Sequence, residues 1–228
     1  ATGSRPLRPP EVHIEDPDVY DSDEILHLGR LPQTLVVLGG GVIGCEYACM
    51  FAALGVRVTL VEARPALLPF LDGELAERLR SAMERLGIEI QLGTKWKDVG
   101  RDAAGALRCT LADGRVLPCE NLLFAAGRTG NTEDLDLAKA GLAADPRGYL
   151  KVDEHYRTSV PHVYAVGDVI GFPALASTSM EQARVAACHA FGLAYKSPIL
   201  SLLPYGIYTI PEVSCVGETE ESLRERRV

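Results

Sequence analysis

One stretch constrains the fold more than any other: residues 34–62, TLVVLGGGVIGCEYACMFAALGVRVTLVE. The apolar run Leu35–Leu38 has the length and composition of a buried strand. It runs into Gly39-Gly40-Gly41-Val42-Ile43-Gly44, a G-x-G-x-x-G turn, then a helical pattern, then a second apolar strand from Val56 to Val61 that closes on Glu62. Glu62 follows Gly44 by 18 residues. Glycine spacing alone is weak, but strand, turn, helix, strand and terminal acid together specify a βαβ unit that takes a dinucleotide. Gly39 permits the tight turn, Gly41 lets a pyrophosphate approach the backbone, and Gly44 lets helix and strand pack closely. The helix N-terminus presents amides and a partial positive charge to the phosphates. Glu62 is placed to accept hydrogen bonds from the adenosine ribose.

The rest of the chain reads as soluble and globular. Its 228 residues can bury a proper core, in one large or two small domains. No apolar run reaches membrane-spanning length. A net charge of −8 argues against a nucleic-acid partner. Cys45, Cys49, Cys109, Cys119, Cys188 and Cys215 show no metal-ligand spacing and fit buried thiols in a reducing compartment, the cytoplasm. Cys45 and Cys49 share one helical face, which suits packing better than a disulfide.

In chain order, residues 7–33 are punctuated by proline and read as a connector, with a helix-start signal at Asp21-Ser22-Asp23-Glu24. After the βαβ unit, Leu75, Leu79, Met83 and Leu86 form a helical stripe over 72–86, ended by Gly87. Ile88–Leu92 reads as a third strand, and 94–118 as antiparallel strands about an Asp113-Gly114 turn. Asn121–Ala126 returns as a buried strand, so 34–126 is expected to be a Rossmann-like α/β domain with an antiparallel β-meander. Beyond Gly127, strands are expected at Tyr149–Val152 and His162–Val166, and a helix from Ala176 to about Gly192. Another helix begins near Thr219. Asp168, at the end of an apolar run, either caps the following helix or accepts hydrogen bonds from a polyhydroxyl chain. The chain opens mid-motif on Ala1-Thr2-Gly3-Ser4-Arg5-Pro6, without the strand that normally precedes such a turn, and stops inside a helix, so both ends are expected to be cut.

Four spaced motifs, ATGSRP, GGGVIGCEYA, FAAGRTGN and YAVGDVIGFPALAS, together resemble the flavin-dependent pyridine nucleotide-disulfide oxidoreductase family over essentially the whole chain. The likeness is greatest to the branch that passes hydride between NADPH and NAD+. The resemblance divides the chain into 1–33, the end of a first FAD-domain segment with its connector; 34–126, the NAD(P)-binding domain; 127–203, part of a second FAD-binding α/β domain; and 204–228, the start of a dimerisation domain. It implies FAD, NAD(H) and NADP(H), and a homodimer for the full-length protein. By that resemblance Gly3 lies near the flavin nucleotide, Glu46 beside the nicotinamide ring, Trp96 on the adenine side and Gly127 towards the nicotinamide cofactor. Asp168 and Ala176 hold FAD. Glu46 also fits a solvated helix-start acid, and Trp96 fits core packing. Arg64, two residues beyond Glu62, either pairs with an NADP 2′-phosphate or is a surface arginine. The family's first GxGxxG, its CxxxxC and its His-Glu pair are not within these residues. Two readings therefore stand beside hydride exchange: a disulfide reductase of the dihydrolipoamide dehydrogenase kind, and a catalytically incomplete NAD-binding fragment.

Overall fold

The computed structural model describes residues 1–195 and 203–227. Its strands are β1 (Ser4–Pro6), β2 (Val19–Asp21), β3 (Thr34–Leu38), β4 (Arg57–Val61), β5 (Glu89–Gln91), β6 (Trp96–Arg101), β7 (Leu107–Leu111), β8 (Val116–Pro118), β9 (Asn121–Phe124), β10 (Arg128–Gly130), β11 (Tyr205–Ile207) and β12 (Val213–Cys215). The α-helices are α1 (Val42–Ala53), α2 (Gly73–Arg85), α3 (Ala176–Ala190) and α4 (Glu220–Glu225). Two compact units result. One comprises Ala1–Arg5 and Arg128–Leu203, the other Pro6–Gly127 and Pro204–Val228.

The larger unit is built on a five-stranded sheet in the order β2-β9-β3-β4-β5. Each neighbouring pair is parallel. Parallel sheets need cover on both faces, and β3 meets that demand residue by residue. Leu35 and Val37 point into one core cluster with Cys45, Ala48, Cys49, Phe51, Leu79 and Met83 from the helices. Val36 and Leu38 point into another with Val99, Leu107, Cys109 and Leu111. The second cover is the antiparallel meander β6-β7-β8. Its β7–β8 turn carries Gly114 at φ 88° and an Asp113 carboxylate that accepts from the Arg115 amide. Helices, parallel sheet and meander make three layers.

Helix α2 is amphipathic, with Ala76, Leu79 and Met83 buried and ion pairs from Arg78 to Glu74 and from Arg80 to Glu77 and Glu84 on its outer side. The buried stripe differs from expectation, because Leu75 is exposed and Ala76 takes the inward position. Asp72 caps this helix through Oδ1, which accepts from the Glu74 amide at 3.0 Å. Its Oδ2 accepts from the Glu220 amide at the start of α4, and Glu221 accepts in return from the Gly73 amide. The 204–228 segment is thus fastened to α2, and Ile207 enters the helix-side core at 1% exposure. The expected helix after Asp21 is a single 3-10 turn, Glu24–His27. Asp21 is fully buried and accepts from the Asp23 and Glu24 amides, while Arg8 bonds both Asp21 and Glu24.

In the smaller unit β1 pairs with β10, and Leu150, Ala165 and Val169 form a small core. The strands expected at 149–152 and 162–166 do not form; a lone Arg157–Tyr164 bridge takes their place. Side-chain carboxylates capture the local amides instead. Asp145 accepts from Arg147 and Tyr149, and Asp153 from His155 and Arg157. No described helix is long and apolar enough to cross a membrane.

Candidate functional site

The C-terminal ends of β3, β4 and β9 converge on the glycine turn. β3 leads to β4 and β5 on one side, while β9 lies on its other side, so the strand order reverses beside β3. Open α/β sheets bind ligands at such a reversal. Gly39 has φ 115°, and a Cβ there would lie 2.6 Å from the Ala125 carbonyl oxygen. At Gly44 a Cβ would lie 1.8 Å from the Gly39 carbonyl oxygen, so only glycine lets α1 come this near β3. At Gly41 a Cβ would meet nothing within 4 Å. The turn is therefore closed by backbone at two glycines and open at the one facing outward. Helix α1 has no side-chain cap, and its N-cap is Gly41 itself. Its first-turn amides have no intrahelical acceptor. A small open cradle beneath an uncapped helix start fits a dinucleotide pyrophosphate.

Gly40, which sequence reasoning does not single out, is hemmed in by side chains rather than by backbone. A Cβ there would lie 2.6 Å from Leu67 and 3.0 Å from Glu62. Its amide donates to Glu62 Oε2 at 2.6 Å. A third consecutive glycine was the available signal.

Glu62 is buried, with 6% of its side chain exposed against 47% for Arg64. Arg64 grips it as a fork: Nε donates to Oε1 and Nη2 to Oε2, each at 2.9 Å, and the Arg64 amide adds a bond to Oε1 at 2.8 Å. Burial pushes the Glu62 carboxyl up, but the Arg64 side chain and the amides of Arg64 and Gly40 outweigh it and hold the group below the usual carboxylate value. The Glu62 carboxylate in turn raises the Arg64 guanidinium. Arg64 is therefore neither a plain surface arginine nor an isolated cation.

Glu46 stands one turn into α1, where its Oε1 accepts from the Tyr208 amide at 2.8 Å. Trp96 opens β6, and its ring meets Phe124 edge-on, 5.8 Å between centroids, in the meander-side core. Gly127 has φ 151° and accepts from the Leu7 amide. Cys45 and Cys49 are buried free thiols.

The smaller unit holds the other group of candidates. Asp168 Oδ2 accepts from Ser4 Oγ at 2.9 Å, and Ser4 Oγ accepts from Arg128 Nε at 2.8 Å. Ser4 is a second residue not singled out in the sequence, although it adjoins Gly3, which has φ 76°. Asp168 lies in a 3-10 turn, Gly167–Ile170, and does not cap α3, whose N-cap is Leu175. Ala176 is the first residue of α3, which has no side-chain cap. A carboxylate oriented by a hydroxyl, and a separate uncapped helix start, fit the hydroxyls and the ring carbonyl of a flavin cofactor respectively.

Residues 1–190 match the family described as pyridine nucleotide-disulphide oxidoreductase. Soluble pyridine nucleotide transhydrogenase of Mycobacterium tuberculosis is 50% identical over 228 residues, covering 100% of this chain and 48% of that protein. The protein of the same name from Colwellia psychrerythraea is 46% identical, covering 100% and 49%. Among solved structures, the HOCl-induced flavoprotein disulfide reductase RclA from Escherichia coli superposes with a TM-score of 0.89 at 32% identity, over 99% of this chain and 52% of that one. LpdA from Mycobacterium tuberculosis gives 0.91 at 30% identity, over 100% and 49%. The chain spans about half the length of the curated relatives it matches. The glycine turn, the acid at the end of the second strand and the family match over 1–190 lead to one conclusion: the chain belongs to the pyridine nucleotide-disulphide oxidoreductase family.

Proposed function

We propose that this chain carries the nicotinamide-dinucleotide site, and part of the flavin site, of an FAD-dependent oxidoreductase that passes hydride between NADPH and NAD+. The observation that carries the reading is the glycine turn, closed at Gly39 and Gly44 and open at Gly41, beneath the uncapped start of α1. Relatives named soluble pyridine nucleotide transhydrogenase, at 46–50% identity, support the choice of reaction.

In this reading the amides at the start of α1 hold the pyrophosphate, and Glu62 with Arg64 meets the adenosine ribose. Glu46 orients the nicotinamide end, and Gly127 lies towards it. Asp168, set by Ser4, accepts from the ribitol hydroxyls; Gly3 lies near the flavin nucleotide and the Ala176 amide meets the ring. When bound, FAD supplies the carrier that takes hydride from one dinucleotide and yields it to the next. The full-length protein would work as a cytoplasmic homodimer, the dimer by family resemblance and the compartment by the free, buried thiols. Disulfide reduction is the second reading, favoured by the superposition on the disulfide reductase RclA.

The test is the visible spectrum of the purified chain, followed by titration with NADH and NADPH. Binding of both dinucleotides is the expected result. A flavin band would show that the FAD half-site is retained and call for an assay of hydride transfer from NADPH to an NAD+ analogue. A colourless chain that binds NADH is the catalytically incomplete NAD-binding fragment, and the hydride exchange then belongs to the full-length protein. A CxxxxC in the full-length protein, with reduction of a small disulfide by NADPH, favours the second reading. A chain that binds neither dinucleotide overturns both.

A further inference from the structure

We infer that Arg64 governs which dinucleotide enters, by closing the Glu62 carboxylate until its guanidinium is drawn away. The inference rests on reading the glycine turn as a dinucleotide site. A carboxylate offers about four acceptor positions. In Glu62 four donors occupy them, two per oxygen: the Arg64 amide and Nε on Oε1, the Gly40 amide and Arg64 Nη2 on Oε2. As it stands, the carboxylate cannot also accept from a ribose diol.

Two of the four donors are fixed. The Gly40 peptide is held where the Leu68 amide bonds its carbonyl, and the Arg64 carbonyl accepts from the Gly93 amide. The guanidinium is the movable pair, since it sits on a flexible, half-exposed stem above a buried acid. When it leaves, both ribose hydroxyls gain acceptors. With NADP(H), the 2′-phosphate offers the guanidinium a charged partner in exchange. With NAD(H), it goes into water. One site therefore admits both dinucleotides, and Arg64 biases it towards the phosphorylated one.

The sign of the effect separates this role from a structural one. Arg64→Met leaves Glu62 with its two main-chain donors and opens two acceptor positions. NADH should then bind about tenfold tighter, and NADPH at least about tenfold weaker, at the lower end of the roughly 10- to 150-fold that a charged hydrogen bond commands. Arg64→Lys keeps a point charge for the phosphate but cannot span both carboxylate oxygens. It should tighten NADH while holding NADPH within about threefold of the parent. Affinities are read from nicotinamide fluorescence on the full chain, with far-ultraviolet circular dichroism confirming that each variant folds. If the parent binds neither nucleotide, the dinucleotide reading falls and this inference with it. If the parent binds both but Arg64→Met weakens both, or changes neither, Arg64 merely supports Glu62 and the inference alone is overturned. Should Arg64→Met fail to fold, Arg64→Lys decides: NADH binding no tighter than the parent's overturns the inference.

Discussion

Gly41 and Gly44 lie three residues apart in one motif, yet alanine should damage them in different ways. At Gly44 the new Cβ would sit 1.8 Å from the Gly39 carbonyl oxygen, about 1.6 Å inside the 3.4 Å at which ordinary contact begins. The obstacle is backbone, so no side chain can rotate away. Overpacking of this kind costs about 3 kcal/mol, the upper end of its usual range. Alanine returns about 1 kcal/mol of helix propensity within α1. The net loss of about 2 kcal/mol lowers the melting temperature by about 4–8 °C for a chain of this length. At Gly41 the added Cβ meets nothing, and φ −81° with ψ −174° suits any residue. Gly41→Ala should match or exceed the parent's stability by about 0.4–1 kcal/mol. Its cost falls on binding, where the methyl stands in the pyrophosphate's approach and weakens NADH by about 10- to 100-fold. Trp96 is the single tryptophan and lies in the same unit, so its fluorescence reports melting of that unit directly. Gly41→Ala binding NADH as the parent does, or Gly44→Ala melting with the parent, would refute the assignment of closed and open glycines.

Three further outcomes follow from the charges, thiols and caps. Because Glu62 titrates below the usual carboxylate value, its contribution to stability is complete above about pH 4.3 and lost as pH falls through its lower folded value. Glu62→Gln should therefore flatten the acid side of the melting-temperature curve, and parallel curves for parent and variant would contradict the pairing. Burial raises the Cys45 thiol and pushes Cys109 up to about 11 and Cys119 up to about 12. A thiol reagent at about pH 8 should thus modify half-buried Cys215 first, and prompt labelling of Cys45 or Cys49, followed by peptide mapping, would disprove it. Asp72→Ala strips a hydrogen bond from the first turns of both α2 and α4, so it should lower the melting temperature and speed proteolysis within 219–227; unchanged cleavage would show that α4 is held elsewhere.

The turn from Leu38 into α1 is legible in the sequence because its demands are local: a strand, a reversal and a helix start within a dozen residues. The same holds for Asp113-Gly114 between β7 and β8, where one positive φ decides the geometry. What Glu62 does is only half legible. Its distance from Gly44 makes it a candidate for the ribose acid, but nothing in the spacing says that Arg64 folds back over it rather than pointing to solvent. That geometry depends on a buried carboxylate needing a charged partner, and burial comes from Leu67 and the Gly40 turn packed against it.

Long-range pairing decides the elements that local sequence does not reveal. Val19–Asp21 is three residues among prolines, too short to announce itself; it is a strand because Leu122–Phe124, a hundred residues later, supplies its ladder. The converse holds in the smaller unit, where Tyr149–Val152 and His162–Val166 have strand-like sequences. The Leu150 amide finds the Val169 carbonyl and the Ala165 amide finds that of Tyr156, while Asp145 and Asp153 hold the neighbouring turns. An apolar run becomes a strand only when another strand arrives to pair with it, and here the acceptors belong to a 3-10 turn and a loop. Glu46 follows the same rule at the site itself. Its helix and exposure are local facts, whereas its hydrogen bond to the Tyr208 amide joins positions separated by 162 residues. The residue proposed to orient the nicotinamide is thus held by a segment that returns to this unit only after the chain has built the other one.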